Sequence, residues 1–389
     1  MTSTLRNSCR FLSSLRLTVT LLALSMLLIF IATIMQVELG IHEVQLRYFR
    51  AWYAWWDIIP GDKKFSIPLP GGIVLGGLLV INLLAAHTAR FKLRWEKAGM
   101  ILIHSGVLLL LLGEFFTGIL GREAQMSINE GETKNYSTFP RDVELVVIEP
   151  SGENEETVTA IPQGRLHSGA VFPMKGFSVK LHTFYRNSEI LPETADVSAF
   201  DKTRATDGLG KFFAMRGTPR ETAMDRRDLS SAFVDIVKDD GTSIGRWLLS
   251  NALKGDQAFE IDGKTWKMSI RQHRLYHPFS IKLLDFSHDR YLGTNVPKNF
   301  SSKIRILNPE TGEDREDLIY MNHPLRYQGL TFYQSGFDNN DETSIFQVVR
   351  NPAWTLPYIA CAMVAIGLLW VFSQHLFKAI ARRKAIPAP

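Results

Sequence analysis

Residues 17–35 form an apolar run with no charged side chain. A stretch of that length can cross the roughly 30 Å hydrocarbon core of a bilayer as one helix. Three more stretches read the same way: 67–86, 98–120 and 354–373. The mean hydropathy of the whole chain is only −0.01. The apolar residues are therefore concentrated in blocks rather than spread through a soluble core. The first block is too long for a signal-peptide core, and no small-residue cleavage pattern follows it. Residues 67–86 open on Pro68, Pro70, Gly71 and Gly72, so an irregular outer end is expected there.

Lys and Arg in short flanks set membrane orientation. Arg6, Arg10 and Arg16 precede the first block. Arg90, Lys92, Arg94 and Lys97 join the second to the third, and Lys378, Arg382, Arg383 and Lys384 follow the fourth. Glu96 is the single acid among them. The long segment 121–353 instead holds 29 Lys+Arg against 33 Asp+Glu. Both termini are thus expected in the cytoplasm and the long segment outside. The net charge of +5 comes from these anchors and does not point to nucleic acid.

The outer segment reads as β-structure. Short alternating runs at 143–147, 178–182, 233–237, 280–284, 303–307 and 331–333 are separated by Ser151-Gly152, Asp240-Gly241, Asp262-Gly263 and Asn308-Pro309. An internal echo runs through it. Phe177-Ser178-Val179-Lys180-Leu181 with Phe184 returns as Phe279-Ser280-Ile281-Lys282-Leu283 with Phe286. Residues 231–237 before Asp240-Gly241 resemble 301–307 before Thr311-Gly312, and 194–230 reads as an insertion. The expected fold is a membrane protein of four transmembrane helices, three N-terminal and one C-terminal. They flank a large extracytoplasmic β-rich, sandwich-like domain. The expected domains are 1–120, 121–353 and 354–389, the second divisible into β units near 121–230 and 231–353.

The two cysteines, Cys9 and Cys361, lie outside 121–353. They exclude a disulfide scaffold and any CxxC site, and leave the outer segment without thiol chemistry. The outer segment also shows no nucleophile elbow, phosphate loop or zinc spacing.

Ionisable groups inside apolar spans are costly and mark candidate sites. His104 lies about 10 Å into the third span at 1.5 Å per residue. An imidazole there can ligate haem iron or make a helix–helix hydrogen bond beside Ser105 and Gly106. Glu114 falls about 80° round the same helix, so it does not share that site. His87 and His375 lie at cytoplasmic ends of spans, as interfacial groups or as receivers of a ligand. Tyr48, Phe49, Trp52, Tyr53, Trp55, Trp56 and Asp57 make an interfacial belt or a platform for a flat ligand. His273 and His277 would share one face of a helix, but their surroundings read as strand and turn.

Several motifs in this order resemble the ResB (CcsB) family of cytochrome c biogenesis proteins. They are Phe11-Leu12-Ser13-Ser14-Leu15-Arg16-Leu17, Ile103-His104-Ser105-Gly106-Val107, Glu130-Gly131 and Val296-Pro297-Lys298-Asn299-Phe300-Ser301-Ser302. The strongest is Asn322-His323-Pro324-Leu325-Arg326-Tyr327-Gln328-Gly329 with Phe332-Tyr333-Gln334-Ser335. The resemblance implies a subunit of the System II cytochrome c synthase of the bacterial inner membrane. With a tryptophan-rich ResC (CcsA)-type partner, such a subunit moves haem b outward for attachment to apocytochrome c. A thioredoxin-like reductant is implied as a further partner, and this subunit would be non-catalytic or co-catalytic. The resemblance also implies a haem-ligand role for His104. Glu114 departs from the family pattern, and the Trp52–Asp57 cluster lacks the glycine and spacing of the partner's motif. The alternative is an extracytoplasmic ligand-binding or assembly scaffold that needs no cofactor.

Overall fold

In a computed structural model the protein is described over residues 10–57, 66–90, 95–150, 156–221, 226–253, 255–293, 297–338 and 342–384. Cys9, Arg6, Lys92, Arg94, the Ser151-Gly152 turn and Val296 lie outside those residues. The chain forms two compact units. Met1–Arg122 with Arg350–Pro389 make a helical unit; Glu123–Glu221 and Asp225–Val349 make a β unit.

The helical unit begins with α1 (Leu15–Val44), capped by Ser14, whose side chain accepts a 3.2 Å hydrogen bond from Leu17 N. Gly40, at φ 71°, interrupts it and a π-turn (Gln45–Phe49) extends it. The helix therefore outruns the expected 17–35. Leu21, Leu28 and Met35 recur every two turns and pack on Leu75, Tyr48 and Ala54.

The expected second span is corrected at its start. Residues 66–70 form strand β2 (Ser66–Pro70), paired with β1 (Tyr53–Asp57) in register Tyr53↔Pro70 through Asp57↔Ser66. Pro68 and Pro70 lack the N–H groups a helix would use. Gly71 N instead donates to Trp52 O at 2.9 Å, and helix α2 (Gly72–Arg90) starts only afterwards. Its apolar part, Gly72–Thr88, is about 26 Å long, short of a roughly 30 Å core. Among the described residues three helices are long and apolar enough to cross a membrane: Leu15–Phe49, Trp95–Leu120 and Leu356–Arg382. Two are N-terminal and one C-terminal.

Asn82 of α2 is buried and ties down the start of α1. Its Nδ2 donates to Leu12 O at 2.6 Å, and its Oδ1 accepts from Thr18 Oγ1 at 2.6 Å. Helix α3 (Ala98–Leu120) lies against α4 (Leu356–Lys384). Gly99, Gly106 and Gly113, seven apart, are the buried residues of α3. A Cβ on Gly106 would stand 2.7 Å from Val364 Cγ2 and 2.8 Å from Ala360 O. The helices approach so closely because these positions carry no side chain.

The β unit has two cores strung on two long strands, β4 (Thr133–Pro150) and β13 (Lys264–Arg290). One half of this strand pair, Lys267↔Ile148 through Gln272↔Val143, serves the first core. With β5 (Glu156–Pro162) and β12 (Gln257–Ile261) it faces a second sheet of β6 (Val171–Pro173), β7 (Phe177–Tyr185), β10 (Ser231–Lys238) and β11 (Ser243–Ser250). Val143, Leu145, Val147, Met268 and Ile270 meet Val179, Leu181, Val234 and Ile236 between the sheets. This half is a sandwich.

The register then shifts between Gln272 and Arg274, and again between Tyr276 and Ile281. Beyond the shifts, β13 and β4 serve the second core. There they join β14 (Pro297–Asn308), β15 (Glu313–Tyr320), β3 (Arg122–Asn129), β18 (Thr343–Arg350), β17 (Leu330–Asp338) and β16 (Leu325–Tyr327). Contacts of β15 with β16 and β17 bring the two ends of this order together, so the sheet curls round Phe279, Ile281, Ile304, Phe332 and Phe346.

The echo is structural. Strand β7 pairs with β10 and β10 with β11; β13 pairs with β14 and β14 with β15. Val179↔Ile236 and Leu181↔Val234 correspond to Ile281↔Ile306 and Leu283↔Ile304. All eight side chains are fully buried. Gly241 and Gly312, at φ 86° and 69°, make equivalent turns. Residues 186–230, including the hairpin β8 (Ser188–Pro192) and β9 (Phe213–Gly217), separate the first pair. The strand Ser231–Lys238 packs in the same core as Phe177–Leu181.

Candidate functional site

Two imidazoles meet where α2 ends and α3 begins. His87 is in the last turn of α2 and His104 in the second turn of α3. The contact of the two rings brings the last turn of α2 against the second turn of α3. Their ring centroids are 5.2 Å apart and the rings nearly perpendicular, at 87°. His87 Nδ1 lies 3.0 Å from Leu83 O. A carbonyl only accepts, so Nδ1 is the donor of this bond. A backbone carbonyl fixing one ring nitrogen is the usual way a metal-ligating histidine is oriented. His87 Nε2 and His104 Nδ1 are both enclosed by protein.

The glycine seam explains why His104 points to α2. Gly106 is two residues on, about 200° round the helix, and faces α4. The side of α3 bearing His104 is left to its other neighbour. Among the described residues no group of three or more His, Cys, Asp or Glu is placed to hold a bare metal ion.

The other candidates lie apart from this pair. His375 is exposed on α4, and Glu114 is exposed on α3 one residue after the seam glycine Gly113. Trp55 is 61% exposed, while Trp56 packs on the α1 core beside Ala54. The alternation of β1 thus splits the aromatic cluster between two faces. Trp52 and Tyr53 are exposed with Trp55.

Outside the helices, His273 and His277 lie on β13 and have different surroundings. His277 is buried, 2.7 Å from Ser137 Oγ and stacked on Phe279. Burial holds its pKa below the ordinary histidine value. His273 is partly exposed and bonded to Glu144. Glu144 was not singled out from the sequence. An acid inside the apolar run Val143-Glu144-Leu145-Val146-Val147 is the mark that could have found it. The glycine heptad and Asn82 were legible in the same way, as exceptions to their surroundings.

The motif 322–329 has a conformational reading. Gln328 and Gly329 both have positive φ, 47° and 75°, and join Tyr327↔Leu330 as a two-residue hairpin. Asn322, at φ 63°, turns the chain before His323, whose ring stacks on Tyr320 at 4.6 Å. The motif shapes the strands that close the second core.

Residues 254–346 match the model of the ResB-like family. The chain is 26% identical over 301 residues to Protein NrfI of Wolinella succinogenes, covering 76% of this chain and 29% of that protein. It is 43% identical over 56 residues to the cytochrome c biogenesis protein CcsB of Prochlorococcus marinus strain SARG, covering 14% of this chain and 13% of that protein. The CcsB of strain MIT 9301 matches at 38% over 56 residues. The chain thus spans less than a third of the length of these relatives. The matched residues 254–346 run from β12 into β18 and contain the hairpin and turn just described. Over residues 254–346 the chain is thus similar to the ResB-like family.

Proposed function

We propose that this chain is a membrane-anchored subunit of cytochrome c biogenesis that handles haem on its way to an apocytochrome. The observation that carries the reading is the His87–His104 pair. Two histidines inside an apolar helical unit are costly unless they serve a ligand, and His87 is oriented by the Leu83 carbonyl one turn back. When bound, haem supplies the iron and the vinyl groups that become thioethers. The residues of this chain supply imidazole ligation and an apolar surround.

The connection between α2 and α3 carries Arg90, Lys92, Arg94 and Lys97. By the positive-inside rule it faces the cytoplasm, which requires the short helix α2 to cross as a fourth span, and its charge suits the two haem propionates. The β unit then lies outside, in a bacterial inner membrane. The relatives' printed names, cytochrome c biogenesis among them, support the pathway. A ResC (CcsA)-type membrane protein is the proposed partner for export and attachment. The thiols come from the apocytochrome and are kept reduced by a separate protein, because the β unit has no cysteine.

Co-expression with such a partner and a reporter apocytochrome tests the reading. His104→Ala should abolish or strongly reduce holocytochrome c while both membrane proteins still accumulate. Unchanged holocytochrome c would favour a scaffold without a cofactor.

A further inference from the structure

Helix α3 carries one acid between Ala98 and Leu120, Glu114. It is exposed, as are Phe115 and Phe116 beside it. It stands six residues before Leu120, about 9 Å short of the outer end at 1.5 Å per residue. The glycine seam fixes the way it faces. Gly113, one residue earlier, lies against α4, where an added Cβ would stand 3.3 Å from Leu356 Cβ. Glu114 is about 100° further round the helix, off that contact. Val107 and Met100 precede it by seven and fourteen residues and are 39% and 44% exposed. They share its side of α3 to within about 40°.

A carboxylate facing lipid alone is costly, and acids within spans pair with another group. Two local escapes are closed to Glu114. Helix side chains lean toward the N-terminus of their helix. Helix α3 runs outward by the positive-inside rule, so Glu114 leans away from the outer interface. Arg50 is brought to the same side of α3, where a Cβ on Gly118 would stand 3.9 Å from its Nε and Nη2. Gly118 is one turn beyond Glu114, on the outer side, against the direction of the lean. Among the described residues Glu114 and Arg50 form no ion pair with each other or with another side chain. A second copy of this chain, docked on the same face by a twofold axis, would set Glu114 beside Glu114, which repels. The neutralising group therefore comes from a different protein.

We propose that the side of α3 bearing Met100, Val107 and Glu114 docks a transmembrane helix of the partner membrane protein, and that a basic side chain on that helix pairs with Glu114. The seven-residue spacing suits the seam of two helices crossing at a small angle. Met100 and Val107 supply apolar contact, and the charge pair fixes the register of the two helices, as a polar group in a helical seam does. The proposal rests on the membrane orientation and the ResC (CcsA)-type partner proposed above, but not on haem binding.

The test co-expresses the full chain with that partner and purifies the pair in detergent through a tag on this chain. Glu114→Leu should lower the partner retained by about tenfold, as when a buried charge loses its counterpart. The thermal midpoint of the same variant purified alone should stay equal or rise, because a lone charge has been removed. Glu114→Lys should lower retention further. Phe116→Leu, about 200° round the helix from Glu114, should retain the partner in full. A photoreactive phenylalanine at Val107 should capture a partner helix carrying Lys or Arg, and an acid placed at that basic position should restore retention to Glu114→Lys. Three results overturn the proposal: retention unchanged in both Glu114 variants, a midpoint of Glu114→Leu that falls in step with retention, or capture at Val107 of a second copy or of a helix without a basic residue. If the unmutated chain retains the partner and the Glu114 variants retain it equally, the partner reading stands and this surface falls. If the unmutated chain retains none, both fall.

Discussion

The imidazoles of His87 and His104 meet edge to face, with ring centroids 5.2 Å apart and planes at 87°. They come from helices whose other faces are committed elsewhere. Helix α2 is tied to the start of α1 through Asn82, and α3 is pressed on α4 through its glycines. Each anchor has a measurable consequence.

Gly106→Leu should separate α3 from α4. Even the first added carbon would stand 2.7 Å from Val364 Cγ2 and 2.8 Å from the Ala360 carbonyl. Overpacking of this kind costs about 1–3 kcal/mol, read as a lower midpoint of thermal unfolding in detergent. Gly76→Leu is the control, since nothing lies within 4 Å of its added carbon. It should leave the midpoint unchanged.

Asn82→Ala removes the partner of the Leu12 carbonyl and the Thr18 hydroxyl at once. A buried group left unsatisfied costs roughly 1–3 kcal/mol. The start of α1 should become sensitive to proteolysis at the residues preceding Leu15. Asn82→Asp keeps the acceptor for Thr18 but loses the donor to Leu12 O, so it should fall between the two.

Acid should destabilise the β unit through His277. Its folded pKa is held below the ordinary 6.5 by burial, so the unfolded chain binds a proton that the folded one refuses. Stability from this group is complete above about pH 6.5 and is lost as pH falls through the folded pKa. Denaturant midpoints of the β signal should drop across that window. His277→Gln, which can still bond Ser137, should flatten the drop.

Gly329→Val should weaken the closing hairpin of the second core. Gly329 has φ 75°, where a β-branched residue costs roughly 1–2 kcal/mol. Gln328→Asn places a residue better suited to its φ of 47° and should leave stability equal or higher. Urea midpoints for the pair should move in opposite directions or differ by at least that cost.

Much of the architecture was legible because its causes are periodic or local. Charge-free blocks mark helices, and alternation with Asp-Gly and Thr-Gly turns marks the strand triplets. The echo between Phe177–Leu181 and Phe279–Leu283 proved to be one pattern of pairing used twice. The start of the second apolar helix was misplaced because hydropathy does not register the two N–H groups missing at Pro68 and Pro70. His104 stood out as a polar residue in an apolar run. That His87 is its neighbour could not be seen, because it depends on how two helices dock. Glu144 and His273 are far apart in sequence and meet only through the register of β4 against β13.

The most direct measurement is the haem content of the purified full chain in detergent. It is read by pyridine haemochrome and absorption spectrum for the unmutated chain, His87→Ala, His104→Ala and the double variant. An in-membrane histidine site predicts co-purifying haem that falls sharply on loss of His104. Loss of His87 should reduce it or change its spectrum. Haem content and spectrum unchanged across all four proteins would contradict it.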